Sequence, residues 1–215
     1  MYKRQIVGTA SVENGLTLHR FVLALVVSIA LQVGVNYAND YSDGIRGTDQ
    51  DRIGPRRLVG SGLINANQVK LAAGISFLIA AIAGLVLAIM TSLWLILIGC
   101  VAILAAWFYT GGSRPYGYSG YGEVSVFVFF GLVATVGSSY VQSQTIESIS
   151  ILCSVPVGLL ASALLVVNNF RDIETDSETG KQTFAVRLGK AKTKLFFAIL
   201  LLASLGMHVL IAVFY

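Results

Sequence analysis

Charge is scarce in this sequence. Only 12% of its 215 residues are Asp, Glu, Lys or Arg, about half the share usual in soluble domains. Three prolines and the absence of a long polar tract leave no room for a disordered region. Two isolated cysteines, Cys100 and Cys153, exclude a disulfide framework and a paired-cysteine zinc site. The net charge of +4 comes without a basic face interleaved with aromatics, so nucleic acid is not a partner. What is abundant is hydrocarbon: 55% of the residues are hydrophobic and the mean hydropathy is +0.75. The composition is that of an integral membrane protein.

A spanning helix takes about 20 residues, and the apolar runs long enough to cross fall at 19–38, 69–90, 93–110, 124–141, 149–167 and 195–214. None alternates with period two, so a transmembrane β-barrel is excluded and helices remain the spanning form. The expected architecture is all-α, a polytopic bundle of six spans in a single domain over 1–215.

Alternating these spans across the bilayer puts all of the 15 basic residues except Lys3, Arg4 and Arg20 on one side. By the positive-inside rule that side is cytoplasmic, which places the chain in a cell's inner membrane. The three exceptions precede the first span. The segment 1–15 has no apolar h-region behind its charges and is not a secretory signal, whereas Ile6 to Ala10 reads like the end of a span. The expectation is that the chain is a piece of a longer bundle.

Apart from Glu13 and Glu147, all of the 11 acidic residues share the basic face. Most lie in two stretches that begin where an apolar run reaches the interface: NYANDYSDGIRGTD, from Asn36 to Asp49, and NNFRDIETD, from Asn168 to Asp176. Asn39 and Asp43 stand four apart, as do Asn168, Asp172 and Asp176, so each set falls on one helical face. A carboxylate costs up to about 2.5–3.5 kcal/mol at the bilayer centre and less toward its edge. A bound cation offsets that cost. Magnesium suits such sites, since one or two carboxylates hold it and substrate phosphate and water complete its shell.

Two such clusters therefore suggest two magnesium–diphosphate bridges, with the carboxylates of Asp43, Asp172 and Asp176 as oxygen donors. The competing reading makes these residues helix caps and loop formers. Asp40 and Glu174 point off the shared faces. Gly44 and Gly47 interrupt the first cluster, so Asp49 approaches from a loop. Arg52, Arg56 and Arg57 either contact an anion or satisfy the charge bias.

With both clusters placed, the sequence resembles the UbiA-type membrane prenyltransferases along nearly its whole length. The resemblance is carried by NDYSDGIRGTD with GPRRLVGSG, by YTGGSRPYGYSGYGE at 109–123, and by NNFRDIETDSETGKQTFAVRLG at 168–189. Within that family it is most similar to the branch that prenylates dihydroxynaphthoate on the way to menaquinone. In place of the Asp-x-x-x-Asp of hydroxybenzoate and haem relatives it has Gly47, with Asp49 two residues on.

The resemblance implies a bundle of about nine helices, of which the six spans correspond to the second through the seventh. It also implies transfer of a polyprenyl group from its diphosphate to an aromatic acceptor. Mg²⁺ would be held by Asp43 and Asp49 on one side and by Asp172 and Asp176 on the other, with Asn39 and Asn168 assisting. Arg171, Lys181 and Arg52 would bind phosphate, and Arg171 alternatively pairs with a neighbouring acid. Among Tyr109, Tyr116, Tyr118 and Tyr121, Tyr118 is the expected aromatic face for an allylic cation. A hydroxybenzoate-type acceptor, a cation carrier and an inactive scaffold are the rivals. His19 and His208 read as packing residues.

Overall fold

The computed structural model describes residues 3–10, 16–48 and 56–215, and every regular element among them is helical. In chain order they are α1 (Lys3–Ala10), α2 (Leu18–Arg46), α3 (Ala66–Met90), α4 (Trp94–Phe108), α5 (Gly122–Val126), α6 (Ala134–Ser143), α7 (Ser148–Arg171), α8 (Ile173–Glu178) and α9 (Phe184–Phe214). A π-helical segment, Phe127–Val133, joins α5 to α6 into one rod over Gly122–Ser143. Five of these rods, α2, α3, α5–α6, α7 and α9, are long and apolar enough to cross a membrane. The remaining expected span, 93–110, is α4, which has 15 residues and is shorter. At 1.5 Å per residue it reaches only about 22 Å.

Large side chains face outward and small ones make the helix contacts, as a lipid-embedded bundle requires. Ala38 and Ala73 are fully buried where α2 meets α3, and a Cβ on Gly34 would strike the Phe77 ring. Ala163 and Val166 of α7 pack on Leu200 of α9. The π-helical turn brings Gly131 against the backbone of Gly158 in α7, which a Cβ on Gly131 would strike, while a Cβ on Gly158 would strike the Phe127 ring.

Several boundaries depart from the sequence reading for identifiable reasons. The first span does not stop at residue 38. α2 continues two turns further and closes at Gly47, whose φ of 75° is left-handed and whose N–H bonds to the carbonyls of Asp43 and Gly44. Gly44 does not interrupt the cluster either: it lies inside α2 and admits the Val59 side chain, which a Cβ would strike. The second acidic stretch is not one helix. It turns at Asp172, yet Asp172 N–H to Asn168 O (3.2 Å) and Asp176 N–H to Asp172 O (2.8 Å) keep the four-residue stacking through the joint. α9 starts earlier than 195, with a break at Gly189 (φ 74°).

Arg20, anomalous as a topology signal, has a local structural partner. Its guanidinium donates to the carbonyls of Val141 and Gln142 at the C-terminal end of α6, where cations are favoured.

Candidate active site

The ends of α2, α4 and α7 meet at one end of the bundle, where the connections after them interlock. Arg46, in the last turn of α2, donates to the carbonyls of Thr110 and Gly112. Tyr118 O accepts from Gln182 N–H at 2.9 Å, tying the 109–121 connection to the one before α9. These contacts rim a cavity of about 710 Å³ that runs from this polar mouth into the apolar interior between the helices.

Of the residues proposed from sequence, Asn39, Asp43, Tyr118, Asn168, Asp172, Asp176 and Lys181 all line this one cavity. Asp43 is 4% exposed. Its carboxylate accepts from the Tyr118 hydroxyl at 2.6 Å and from Lys181 Nζ at 3.3 Å. The same ammonium lies 3.7 Å from Asp176, so one cation touches both acidic clusters. It also sits 4.9 Å from the centre of the Tyr118 ring. Tyr118 is thus fixed at its hydroxyl by Asp43 and at its face by Lys181. Burial first, and then the Asp43 charge, hold its phenol above the ordinary tyrosine range.

Asn39 accepts from the Thr110 hydroxyl at 2.8 Å. Arg171 takes the neighbouring-acid alternative, gripping Asp172 with Nε and Nη2 at 2.7 and 2.9 Å in a bidentate pair about one third exposed on the arginine side. Asp49 and Arg52 lie outside the described residues. Tyr121 is exposed at 62%, and Tyr109 and Tyr116 pack edge-to-face, 5.4 Å between centroids. Glu174 pairs with Lys190 on the surface at 2.6 Å.

Asp40 does have a task, though not in the cavity. Its two oxygens accept the N–H groups of Leu58 and Val59 at 2.9 and 3.0 Å, folding the segment after residue 55 onto α2. That fold brings Arg57 to the cavity wall. Sequence reasoning left Arg57 level with its neighbours because the clamp is a tertiary contact. It missed Thr110, Asn169 and Glu123 as well; the doubled asparagine at 168–169 was the available signal.

The donor chemistry fits a hard divalent cation shared with a substrate. Every candidate ligand is a carboxylate or an amide oxygen, as Mg²⁺ prefers. Among the described residues no three His, Cys, Asp or Glu side chains close into a protein-only metal cage.

Fold and site together define a multi-pass helical membrane protein with a carboxylate and lysine centre at the mouth of a largely apolar cavity. The chain belongs to the UbiA prenyltransferase family, whose profile matches residues 6–215. It is 50% identical over 197 residues to the 1,4-dihydroxy-2-naphthoate octaprenyltransferase of Mycobacterium leprae, covering 92% of this chain and 67% of that one. The enzyme of the same name from Mycobacterium tuberculosis is 50% identical over 190 residues (88% and 65%), and that from Escherichia coli 42% over 191 (86% and 62%). The chain thus spans about two thirds of the length of these curated relatives.

Proposed function

We propose that this protein transfers a polyprenyl group from polyprenyl diphosphate to 1,4-dihydroxy-2-naphthoate, releasing diphosphate and carbon dioxide and giving the demethylated precursor of menaquinol. The observation that carries the reading is the convergence of both acidic motifs on one cavity, with Lys181 3.3 Å from Asp43 and 3.7 Å from Asp176. The relatives' names supply the acceptor. The charge distribution supports placing the mouth on the cytoplasmic face of the inner membrane.

Asp43, Asp172 and Asp176, with Asn39 and Asn168 and with Asp49, would hold Mg²⁺. The ion's contribution is to neutralise the diphosphate as it leaves. Lys181 and Arg57 add fixed positive charge at the same mouth, so the leaving oxygens meet donors already in place. Arg171 orients Asp172. The Tyr118 ring, held against Lys181 and Asp43, presents a π face to an allylic cation. Below the mouth, Leu31, Ile103, Phe129 and Phe130 line a dry passage that suits an isoprenoid tail and keeps water from the cation. The allylic carbon–oxygen bond breaks, the ring carbon bearing the carboxylate forms the new carbon–carbon bond, and loss of carbon dioxide returns its electron pair to the ring.

The test is incorporation of a radiolabelled polyprenyl diphosphate into dihydroxynaphthoate in membranes containing the protein, with and without Mg²⁺. Magnesium-dependent product, lost in Asp172→Ala, supports the proposal. Product with hydroxybenzoate alone reassigns the acceptor, and cation flux without diphosphate binding refutes the enzyme.

A further inference from the structure

Glu123 is a buried acid next to the site that none of these steps uses. It opens α5, is 6% exposed and reaches across to α7. Its Oε1 accepts from Asn169 Nδ2 at 3.0 Å, and its backbone carbonyl accepts from the Ser162 hydroxyl, also at 3.0 Å. Its other carboxylate oxygen is buried with no hydrogen-bond partner among the described residues. Burying such a group is costly, and a Gln or Leu would pack the same space more cheaply. What the carboxylate supplies that neither can is direction. Both of its oxygens accept, so whichever one faces Asn169 must meet the amide nitrogen.

The amide is thereby turned. With one Nδ2 hydrogen given to Glu123, the amide is anchored at its nitrogen and its carbonyl end is turned away from Glu123, on a residue that lines the cavity. Asn169 precedes Asp172 by three residues on a helix whose C-terminal end is the mouth, so it lies about 4.5 Å deeper, on the carboxylates' side of α7. Of the hydroxyls lining the cavity, those of Thr110 and Tyr116 are committed elsewhere: Thr110 donates to Asn39, and Tyr116 donates to the Ala105 carbonyl at 2.8 Å. A hydrogen-bond acceptor below the diphosphate site matches a hydroxylated ring brought up beneath the allylic carbon. In dihydroxynaphthoate the 1-hydroxyl is engaged by the adjacent carboxylate, which leaves the 4-hydroxyl as the free donor.

We infer that Glu123 is a positioning residue that fixes the Asn169 amide so that its carbonyl oxygen accepts from the 4-hydroxyl of the aromatic co-substrate, making the pair a determinant of acceptor specificity. The inference rests on the proposed prenyl transfer to a hydroxylated naphthoate. A site built around a substrate hydroxyl rejects the analogue lacking it far more strongly than an apolar pocket does.

The experiment is steady-state kinetics of the full chain in proteoliposomes, comparing 1,4-dihydroxy-2-naphthoate with 1-hydroxy-2-naphthoate. Asn169→Leu is expected to raise the KM for the dihydroxy acceptor roughly tenfold and to erase the preference over the monohydroxy analogue, with the KM for polyprenyl diphosphate within about twofold of wild type. Glu123→Gln should move the same two quantities by less, because its amide can meet Asn169 either way round. Asn169→Ser, shorter and still polar, replaces the leucine variant if that one does not fold. Unchanged acceptor KM and preference in the Asn169 variants overturn the inference, as does an equal rise in the KM for the diphosphate. No wild-type turnover of dihydroxynaphthoate overturns the proposed function and the inference with it; wild-type turnover with indifferent variants overturns the inference alone.

Discussion

Replacing Lys181 with methionine keeps most of the side-chain volume and removes a cation that touches both Asp43 and Asp176. At an effective dielectric constant of about 20, a unit charge at the observed 3.3 and 3.7 Å is worth roughly 5 and 4.5 kcal/mol before desolvation. The side chains are 12% exposed for Lys181 and 6% for Asp43. Taking the cation away from carboxylates that are this well covered costs up to about 3–5 kcal/mol, less what the Tyr118 hydroxyl bond to Asp43 retains, which lowers the apparent unfolding temperature in detergent by up to roughly 20 °C for a chain of this size. Adding Asp43→Asn should recover a large part of that loss, because it removes one of the two negative charges that Lys181 had faced. The cycle of Lys181→Met, Asp43→Asn and the double variant, followed by thermal unfolding at neutral pH, is the assay. Lys181→Met that unfolds within 1 °C of wild type, or a double variant no more stable than Lys181→Met, refutes the reasoning. In turnover, loss of one charged phosphate contact worth about 1.5–3 kcal/mol should cut kcat/KM for the diphosphate by roughly 10- to 150-fold.

Tyr118→Phe keeps the aromatic face and loses the 2.6 Å bond to Asp43, so kcat/KM should fall about tenfold, measured with the labelled-diphosphate assay. Because burial and Asp43 raise the Tyr118 phenol above its ordinary value of about 10, its contribution to stability is complete below that pH and fades as pH rises toward the folded-state value. The wild type should therefore lose stability above pH 10 more steeply than Tyr118→Phe, read from unfolding temperatures across an alkaline series. Asp40→Ala unpairs the N–H groups of Leu58 and Val59 and releases the segment that carries Arg57. The expected result is a rise in the KM for polyprenyl diphosphate of tenfold or more with the acceptor KM unchanged, and Gly44→Leu should reproduce it by displacing Val59.

The helices and the acidic motifs were legible because both rest on local signals, apolar run length and four-residue spacing. The end of α2 was harder to read. Apolarity stops near Ala38, but the helix continues because Asp40 and Asp43 find partners 18 and 138 residues away. Gly44 looked like a breaker for the same reason: nothing local indicates that Val59 will need its space. Arg20 looked like a violation of the charge rule because its partners, the last carbonyls of α6, come more than 120 residues later. The pairing of Glu123 with Asn169 spans 46 residues and leaves no periodic trace. Spacing within a helix reveals which side chains share a face, whereas their partners on other helices depend on the packing.

The 138-residue separation between Asp43 and Lys181 also bears on how the protein is made. Synthesis proceeds at about 5–20 residues per second, so α2 waits roughly 7–28 seconds before the lysine that neutralises its carboxylate has been translated. During that interval the acid must rest among lipid head groups, where water can solvate it, because the hydrocarbon would expel it. Its place in the last turn of an over-long helix meets that requirement, and the nascent chain can anchor this span before the pocket exists.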